Sequence, residues 1–148
     1  MVELIKKIQS VIGNDFIIVG SVSMRYHGIE PNSRKKNEID IVVSDDSYFN
    51  KLSCLGEFTI NINGERTPFN EEKRMFIKTD NGDFIDVYLD SNPIEYNELI
   101  VGELKVKIRS KSSYLDFYNS ILKNYNFNKY DTQGQFKEKI LKYINLLS

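Results

Sequence analysis

Cysteine is nearly absent from this sequence, and so are long apolar runs and any excess of charge. The single cysteine, Cys54, excludes an intramolecular disulfide, so we do not expect a disulfide-stabilised secreted domain. The N-terminal segment lacks the continuous apolar stretch that a secretory signal or a membrane span requires. We therefore expect a soluble protein of the cytoplasm that has no contact with membranes.

Neither sign of charge dominates, because 20 Lys and Arg residues and 21 Asp and Glu residues leave a net charge of -1. A protein without a cationic field does not hold duplex nucleic acid through nonspecific attraction to the phosphates. We therefore expect no nonspecific binding of duplex DNA, and any contact with nucleic acid should be local.

What is present is the composition of a folded globular protein. Hydrophobic residues make up 41% of the chain and charged residues 28%, with nine Tyr and nine Phe. A chain of this length can bury about 70% of its unfolded surface. Because no repeat or linker divides it, we expect a single domain over residues 1–148, with C-terminal helices in 112–148 packed on it.

The first third of the chain predicts a helix, a strand, a helix and a second strand. Apolar residues at helical spacing indicate an opening helix that ends at Gly13. The short β-branched run 16–19 predicts a buried strand. A helix is expected over 22–27, and the apolar run 38–43 predicts the next strand after a loop.

The remaining chain predicts antiparallel strands followed by two helices. Asn63–Gly64 and Asn81–Gly82 are hairpin signals, the second between strands at 75–78 and 84–89, and another strand is expected over 104–108. Apolar spacing then predicts two C-terminal helices, the first with Ser113 as its N-cap and the last with a face that begins at Phe136. The expected fold class is α/β (α+β), with a mixed, mainly antiparallel sheet and flanking helices.

Three acidic residues lie on predicted strands. Alternation places Glu38 and Asp40 on one face of the first acidic strand, and Asp86 among apolar neighbours in the later hairpin strand. If the three converge, each pair at about 4 Å repels by roughly 4 kcal/mol at an effective dielectric near 20, which a bound cation relieves. All-oxygen ligands favour Mg²⁺ or Mn²⁺, and such sites support phosphoryl or nucleotidyl transfer. The alternative is a set of acids that face water on a half-exposed sheet.

Gly20–Ser21 lies between the first strand and the next helix. A helix that starts there presents unpaired backbone N–H groups, and glycine permits the close approach of a phosphate. The alternative is that Ser21 only caps the helix while Gly20 only allows the turn.

Three motifs together resemble the nucleotidyltransferase superfamily of DNA polymerase beta type. They are Val19-Gly20-Ser21, Glu38-Ile39-Asp40-Ile41 and Ile85-Asp86-Val87. The family pattern is a hydrophobic residue with Gly-Gly or Gly-Ser, then two acids in alternation, then a third acid in a later strand. The resemblance covers about residues 16–90 and implies a nucleotidyltransferase-like scaffold. Two features depart from the pattern: Glu38 replaces the more usual Asp, and the interval from Ser21 to Glu38 is long.

By this resemblance, Gly20 and Ser21 hold the triphosphate of an NTP. Glu38, Asp40 and Asp86 bind Mg²⁺ or Mn²⁺, and Asp86 also helps to deprotonate the acceptor hydroxyl. An NMP would pass from the NTP to that hydroxyl with release of pyrophosphate.

Lys129, just before the last helix, is similar to a lysine that meets nucleotide phosphates in some small members of the family. These members include abortive-infection type nucleotidyltransferase toxins, so toxin-antitoxin or phage-defence roles fit by resemblance only. A solvated loop is the alternative for Lys129. The cluster Arg34-Lys35-Lys36 either steers an anionic substrate or is surface charge, and Cys54 is expected in the core.

The acceptor is left open by the sequence. The chain has no room for the additional domain that larger relatives use to bind tRNA or polymer ends. The acceptor is therefore a small molecule, a partner protein or an RNA end such as that of a tRNA. A different class of function is a catalytically silent module that binds nucleotide or a partner, which Glu38 and the long loop favour. A third is a nuclease-like metal site with water as the acceptor.

Overall fold

A computed structural model of the chain describes residues 1–30, 37–62 and 73–148. These ranges contain helices and strands whose order along the chain is α1, β1, α2, β2, α3, β3 to β7, and α4 to α6. The helices are α1 (Val2–Ile12), α2 (Gly20–Tyr26), α3 (Ser47–Leu52), α4 (Lys111–Asn124), α5 (Phe127–Tyr130) and α6 (Gln135–Leu147). The strands are β1 (Ile17–Val19), β2 (Glu38–Val43), β3 (Gly56–Ile62), β4 (Lys73–Thr79), β5 (Phe84–Leu89), β6 (Tyr96–Val101) and β7 (Leu104–Arg109).

The strands form one seven-stranded sheet in the order β3-β4-β5-β2-β1-β7-β6. The pairs β1–β2, β3–β4, β4–β5 and β6–β7 are antiparallel, whereas β1–β7 and β2–β5 are parallel. This arrangement confirms the expected fold class, a mixed and mainly antiparallel sheet with flanking helices.

One face of the sheet carries the main hydrophobic core. Alternation turns Ile39, Ile41 and Val43 on β2 and Ile85 and Val87 on β5 toward this face, where they meet the apolar stripe of α1 and residues of α3. Completely buried members of this core are Ile5, Ile8, Ile18, Ile39, Ile41, Leu52, Met75, Ile77, Ile85 and Val87. Because the apolar residues of β2 and β5 are used here, the acidic residues between them point to the opposite face.

The opposite face is covered by α2 and by the C-terminal helices. Met24 and Ile29 pack there in a smaller cluster with Tyr114 of α4 and Tyr143 and Leu147 of α6. Helices α4 and α6 also contact each other. The C-terminal helices therefore lie on the side of the sheet that carries the acids.

The structure corrects two local predictions from the sequence and adds a strand that the sequence did not predict. Helix α4 begins three residues earlier than predicted, since the cap is Ser110, whose Oγ accepts a hydrogen bond of 3.1 Å from the N–H of Ser113. Strand β6 was not predicted, because this edge strand is mostly exposed and lacks apolar alternation. Cys54 is exposed rather than in the core, in the turn after Leu52.

Two predictions concern segments outside the described residues. These are the basic cluster Arg34-Lys35-Lys36 and the turn Asn63–Gly64. The strands on either side of the second segment, β3 and β4, pair as a hairpin requires. In the ranges that are described, no helix has the length and apolar character needed to cross a membrane.

The packing of the sheet against α1 predicts a strong effect when the side chain of Ile39 is shortened, because Ile39 lies in the middle of the sheet and is 0% exposed. We expect Ile39→Ala to lower the free energy of unfolding by about 3–4 kcal/mol, through lost burial and the cavity left behind. Urea denaturation measures this. Ile100→Ala is the control, because Ile100 is 67% exposed on β6, and its cost should stay below about 1 kcal/mol. Similar costs at both positions would contradict the assignment of the core.

Candidate active site

Parallel pairing of β2 with β5 brings the three predicted carboxylates together. Asp40 pairs directly with Asp86, and Glu38 lies two residues earlier on the same face of β2. One oxygen from each carboxylate lies within 4.8 Å of one oxygen of the others. The predicted convergence is therefore present in the structure, and the group is compact enough to hold a metal ion.

The turn at Gly20 lies directly against Asp40. Val19, the last residue of β1, pairs with Asp40, and Gly20 follows with a φ of +68°. A Cβ at position 20 would lie 2.1 Å from Oδ2 of Asp40, so the side chain of Asp40 would have to move. The backbone conformation and the close contact with Asp40 therefore both favour glycine.

The helix after this turn begins at Gly20 itself. Its N-cap position is Val19, and no side chain caps it in the described part of the chain. The alternative in which Ser21 caps the helix is therefore wrong, and Ser21 lines the adjacent cavity instead. The carbonyl of Gly20 accepts hydrogen bonds from Ser23 Oγ at 3.3 Å and from the hydroxyl of Tyr114 at 3.4 Å, which brace the turn.

Asp86 is 1% exposed, and its charge is compensated by Arg74 on the neighbouring strand β4. Nε of Arg74 donates to Oδ1 at 2.7 Å and Nη2 donates to Oδ2 at 2.5 Å. The hydroxyl of Tyr88 also donates to Oδ2, at 3.0 Å. Burial raises the pKa of Tyr88, and the negative charges of Asp40 and Asp86 raise it further, so this hydroxyl stays protonated.

Arg74 was not identified from the sequence, although the signal was present. The predicted hairpin at Asn81–Gly82 sets the register of β4 on β5, which pairs Phe76 with Asp86 and Arg74 with Tyr88. Residues on one face of adjacent strands are neighbours, so this register places Arg74 diagonally next to Asp86.

The acids and the turn line a cavity of about 430 Å³. Glu38, Asp40 and Asp86 lie on its sheet wall with Gly20 and Ser21. The part of the wall that comes from the end of β7 and from α4 and α6 is mainly aromatic and cationic, whereas Asp90 adds one further acid to the cavity. This aromatic and cationic part includes Arg109, Phe117, Tyr118, Lys139 and Tyr143.

Lys129 does not line this cavity. It is exposed on α5, with Nζ 5.0 Å from the ring centroid of Tyr130. Lys139 on α6 does line the cavity, with Nζ 5.8 Å from the ring centroid of Tyr143. Nucleotide binding by Lys129 stays a prediction, and the lysine from the C-terminal helices that the structure places at the cavity is Lys139.

Comparison with known proteins supports the fold. No protein-family model matches this sequence, and no curated protein matches it. The chain is similar to a solved structure of the lincosamide antibiotic adenylyltransferase LnuA in its lincomycin-bound form, with a TM-score of 0.55 and 15% sequence identity. The similarity covers 99% of this chain and 96% of that chain. At this level of identity the likeness establishes a nucleotidyltransferase-like fold.

The contact between Gly20 and Asp40 predicts that Gly20→Ala disrupts the acidic site. The positive φ alone should cost about 1–3 kcal/mol of unfolding free energy. Gly82→Ala is the matched control, since Gly82 has a φ of +83° but nothing within 4 Å of an added Cβ. We expect Gly20→Ala to lose more stability than the control in urea denaturation. Only Gly20→Ala should also weaken Mn²⁺ binding, measured by electron paramagnetic resonance. Equal effects of the two variants would contradict the steric argument.

The pairing of Arg74 with buried Asp86 predicts a measurable coupling. Arg74→Gln should lower the unfolding free energy by about 2 kcal/mol, because Asp86 is left without its charged partner. The adjacent Lys73→Gln is the control, since it breaks an exposed ion pair with Asp46 and should cost less than about 1 kcal/mol.

A double-mutant cycle with Asp86→Asn checks the same pair. Once the carboxylate is removed, the further cost of Arg74→Gln in urea denaturation should shrink. Strictly additive losses would show that the two side chains do not stabilise each other.

Proposed function

We propose that the protein is a metal-dependent nucleotidyltransferase, which moves an NMP from an NTP to a hydroxyl acceptor and releases pyrophosphate. One observation carries the proposal: three carboxylates converge beside a glycine turn in the wall of a cavity, on a nucleotidyltransferase-like fold. The cavity volume of about 430 Å³ is within the range of small-ligand sites.

The carboxylates suit a hard divalent cation such as Mg²⁺ or Mn²⁺. Glu38, Asp40 and Asp86 offer only oxygen ligands, and three negative charges within 4.8 Å of one another need positive compensation. Arg74 supplies part of it at Asp86. These three acids would hold the metal, which when bound would neutralise charge on the phosphates and favour ionisation of the acceptor hydroxyl.

The protein's own residues would position the substrates and accept a proton. Gly20 and Ser21 would hold the triphosphate, while Asp86 helps to take the proton from the acceptor hydroxyl. The hydroxyl oxygen then forms a bond to the α-phosphorus as the bond to the bridging oxygen breaks, and pyrophosphate leaves with that electron pair. Oδ2 of Asp86 accepts hydrogen bonds from both Arg74 and Tyr88, but Oδ1 accepts only the one from Nε of Arg74 and so keeps a second lone pair.

We propose a small molecule as the acceptor. LnuA, which has a similar fold, is by its name an adenylyltransferase of lincosamide antibiotics, and its structure contains lincomycin. In this chain α4 and α6 would close the cavity, as parts of a single domain over residues 1–148. An RNA end, such as that of a tRNA, and a partner protein are the other acceptors to test.

A catalytically silent nucleotide- or partner-binding module is the alternative, favoured by one specific observation. Arg74 engages both oxygens of Asp86, so the third carboxylate has a positive partner without any metal. In that function the cavity would bind nucleotide without turnover.

Incubation with Mg²⁺ and each α-labelled NTP, with a cell extract as the source of acceptors, tests the proposal. We expect label transfer and pyrophosphate release by the wild-type protein. Asp40→Asn and Asp86→Asn should each lower the rate at least about 100-fold, the scale expected when a charge-stabilising group is removed from an active site. Asp80→Asn, in the exposed turn between β4 and β5, should keep the wild-type rate.

Other results would favour the alternatives. Nucleotide binding without label transfer to a small molecule, RNA or protein would favour the silent module. Cleavage of a polynucleotide in place of nucleotide addition would favour a nuclease. Full activity in Asp86→Asn would show that the third acid is wrongly assigned.

A further inference from the structure

Arg109 is a half-buried cation in the cavity wall, and within the described residues the negative charge of Asp90 in the same wall favours its charged form without forming a salt bridge. Its Nε donates to Ser113 Oγ at 2.9 Å, and its guanidinium carbon lies 4.3 Å from the ring centroid of Phe117 and 5.3 Å from that of Tyr114. Within residues 1–30, 37–62 and 73–148 it forms no ion pair and no other side-chain hydrogen bond. Its two Nη groups are therefore available to a ligand.

Such an environment favours an anion. Burial of a cation without a hydrogen-bonded carboxylate is unfavourable, and the more distant charge of Asp90 and stacking on aromatic rings offset only part of the cost. Burial also lowers the pKa of Arg109, although an arginine remains protonated in proteins. A phosphate group could accept two parallel N–H bonds from the guanidinium.

The sheet register places Arg109 beside the glycine turn. Ile108 of β7 lies next to Ile18 of β1 in parallel register, so the following residue, Arg109, lies beside Val19. Val19 in turn pairs with Asp40. Since neighbouring strands are about 4.8 Å apart, the backbones at Arg109 and Asp40 are separated by roughly 10 Å across β1. The guanidinium and the carboxylates therefore flank the turn at Gly20 from opposite sides.

Tyr118 supplies a second donor to the same cavity. Its ring stacks between Tyr114 and Tyr143, with 5.9 Å between centroids on each side. In the described part of the chain its hydroxyl has no hydrogen-bond partner. Burial raises the pKa of Tyr118, so the hydroxyl stays neutral and can donate.

We propose that Arg109, with the Tyr118 hydroxyl as a second donor, binds the β- and γ-phosphates of the NTP and so receives the pyrophosphate leaving group. The identity of the ligand rests on the proposed nucleotidyl transfer. The position next to the Gly20 turn favours the triphosphate over an anionic group of the acceptor. As the bond from the α-phosphorus to the bridging oxygen breaks, negative charge grows on pyrophosphate, and a fixed cation there stabilises it.

Binding of inorganic pyrophosphate tests this site without any need for turnover. Isothermal titration calorimetry with Mg²⁺ should show that Arg109→Gln binds pyrophosphate about 10- to 100-fold more weakly than the wild type, as expected for lost charge-assisted hydrogen bonds. Arg109→Lys should recover part of the affinity. Lys107→Gln is the matched control, since Lys107 lies on the same face of β7 but outside the cavity wall, over the ring of Tyr96, and should bind normally.

Tyr118→Phe keeps the stacked ring and removes only the hydroxyl. It should weaken pyrophosphate binding about 3- to 10-fold, which keeps the proposal testable if Arg109→Gln proves unstable in urea denaturation. In turnover assays, both variants should raise the KM for NTP and weaken inhibition by pyrophosphate, with the acceptor KM unchanged.

The outcomes separate this site from the proposed reaction. Pyrophosphate binding that depends on Arg109, in a protein without transferase activity, would support the site and reject the reaction. Active transfer with unchanged pyrophosphate binding in folded Arg109→Gln would overturn the site and keep the reaction. A rise confined to the acceptor KM would also overturn it, since Arg109 would then bind the acceptor.

Discussion

Electrostatic repulsion among three carboxylates is the constraint around which this site is built. The pairing of β2 with β5 fixes the backbone of Asp40 beside that of Asp86, so the two carboxylates stay close together. The side chains next to Asp86 offset part of this repulsion. Arg74 supplies a positive charge at Asp86, Tyr88 donates a hydrogen bond to it, and the backbone turn at Gly20 lies directly against Asp40.

Much of this arrangement was predictable because it depends on local patterns. Alternation along 38–43 and 84–89 separates the residues that face α1 from the acids, since only one face of these strands enters the main core. The turn at position 20 was predictable for a related reason. Glycine is the residue type that adopts a positive φ and has no Cβ, so its presence in the sequence already indicates a tight turn there. The class of the sheet followed from the hairpin at Asn81–Gly82 and the apolar runs.

The parts that escaped prediction depend on tertiary placement. Arg109 is the last residue of β7, and only the parallel register with β1 brings it beside the Gly20 turn. Lys129 precedes the last helix and Lys139 lies in it. Only the packing of α6 decides which of the two lines the cavity. Ser110 and Ser113 are both good capping residues. Because β7 ends at Arg109, the next residue, Ser110, takes the N-cap position of α4.

The two parts of the cavity wall come from different parts of the chain, and this has a consequence for biosynthesis. Glu38, Asp40 and Asp86 leave the ribosome before β7, α4 and α6, which supply Arg109 and the aromatic wall. Strand β1 pairs with β2 on one side and with β7 on the other. In a nascent chain that ends before β7, one edge of β1 is therefore unpaired. The acids can thus assemble early in translation, but the complete pocket forms only after the last helix has been synthesised.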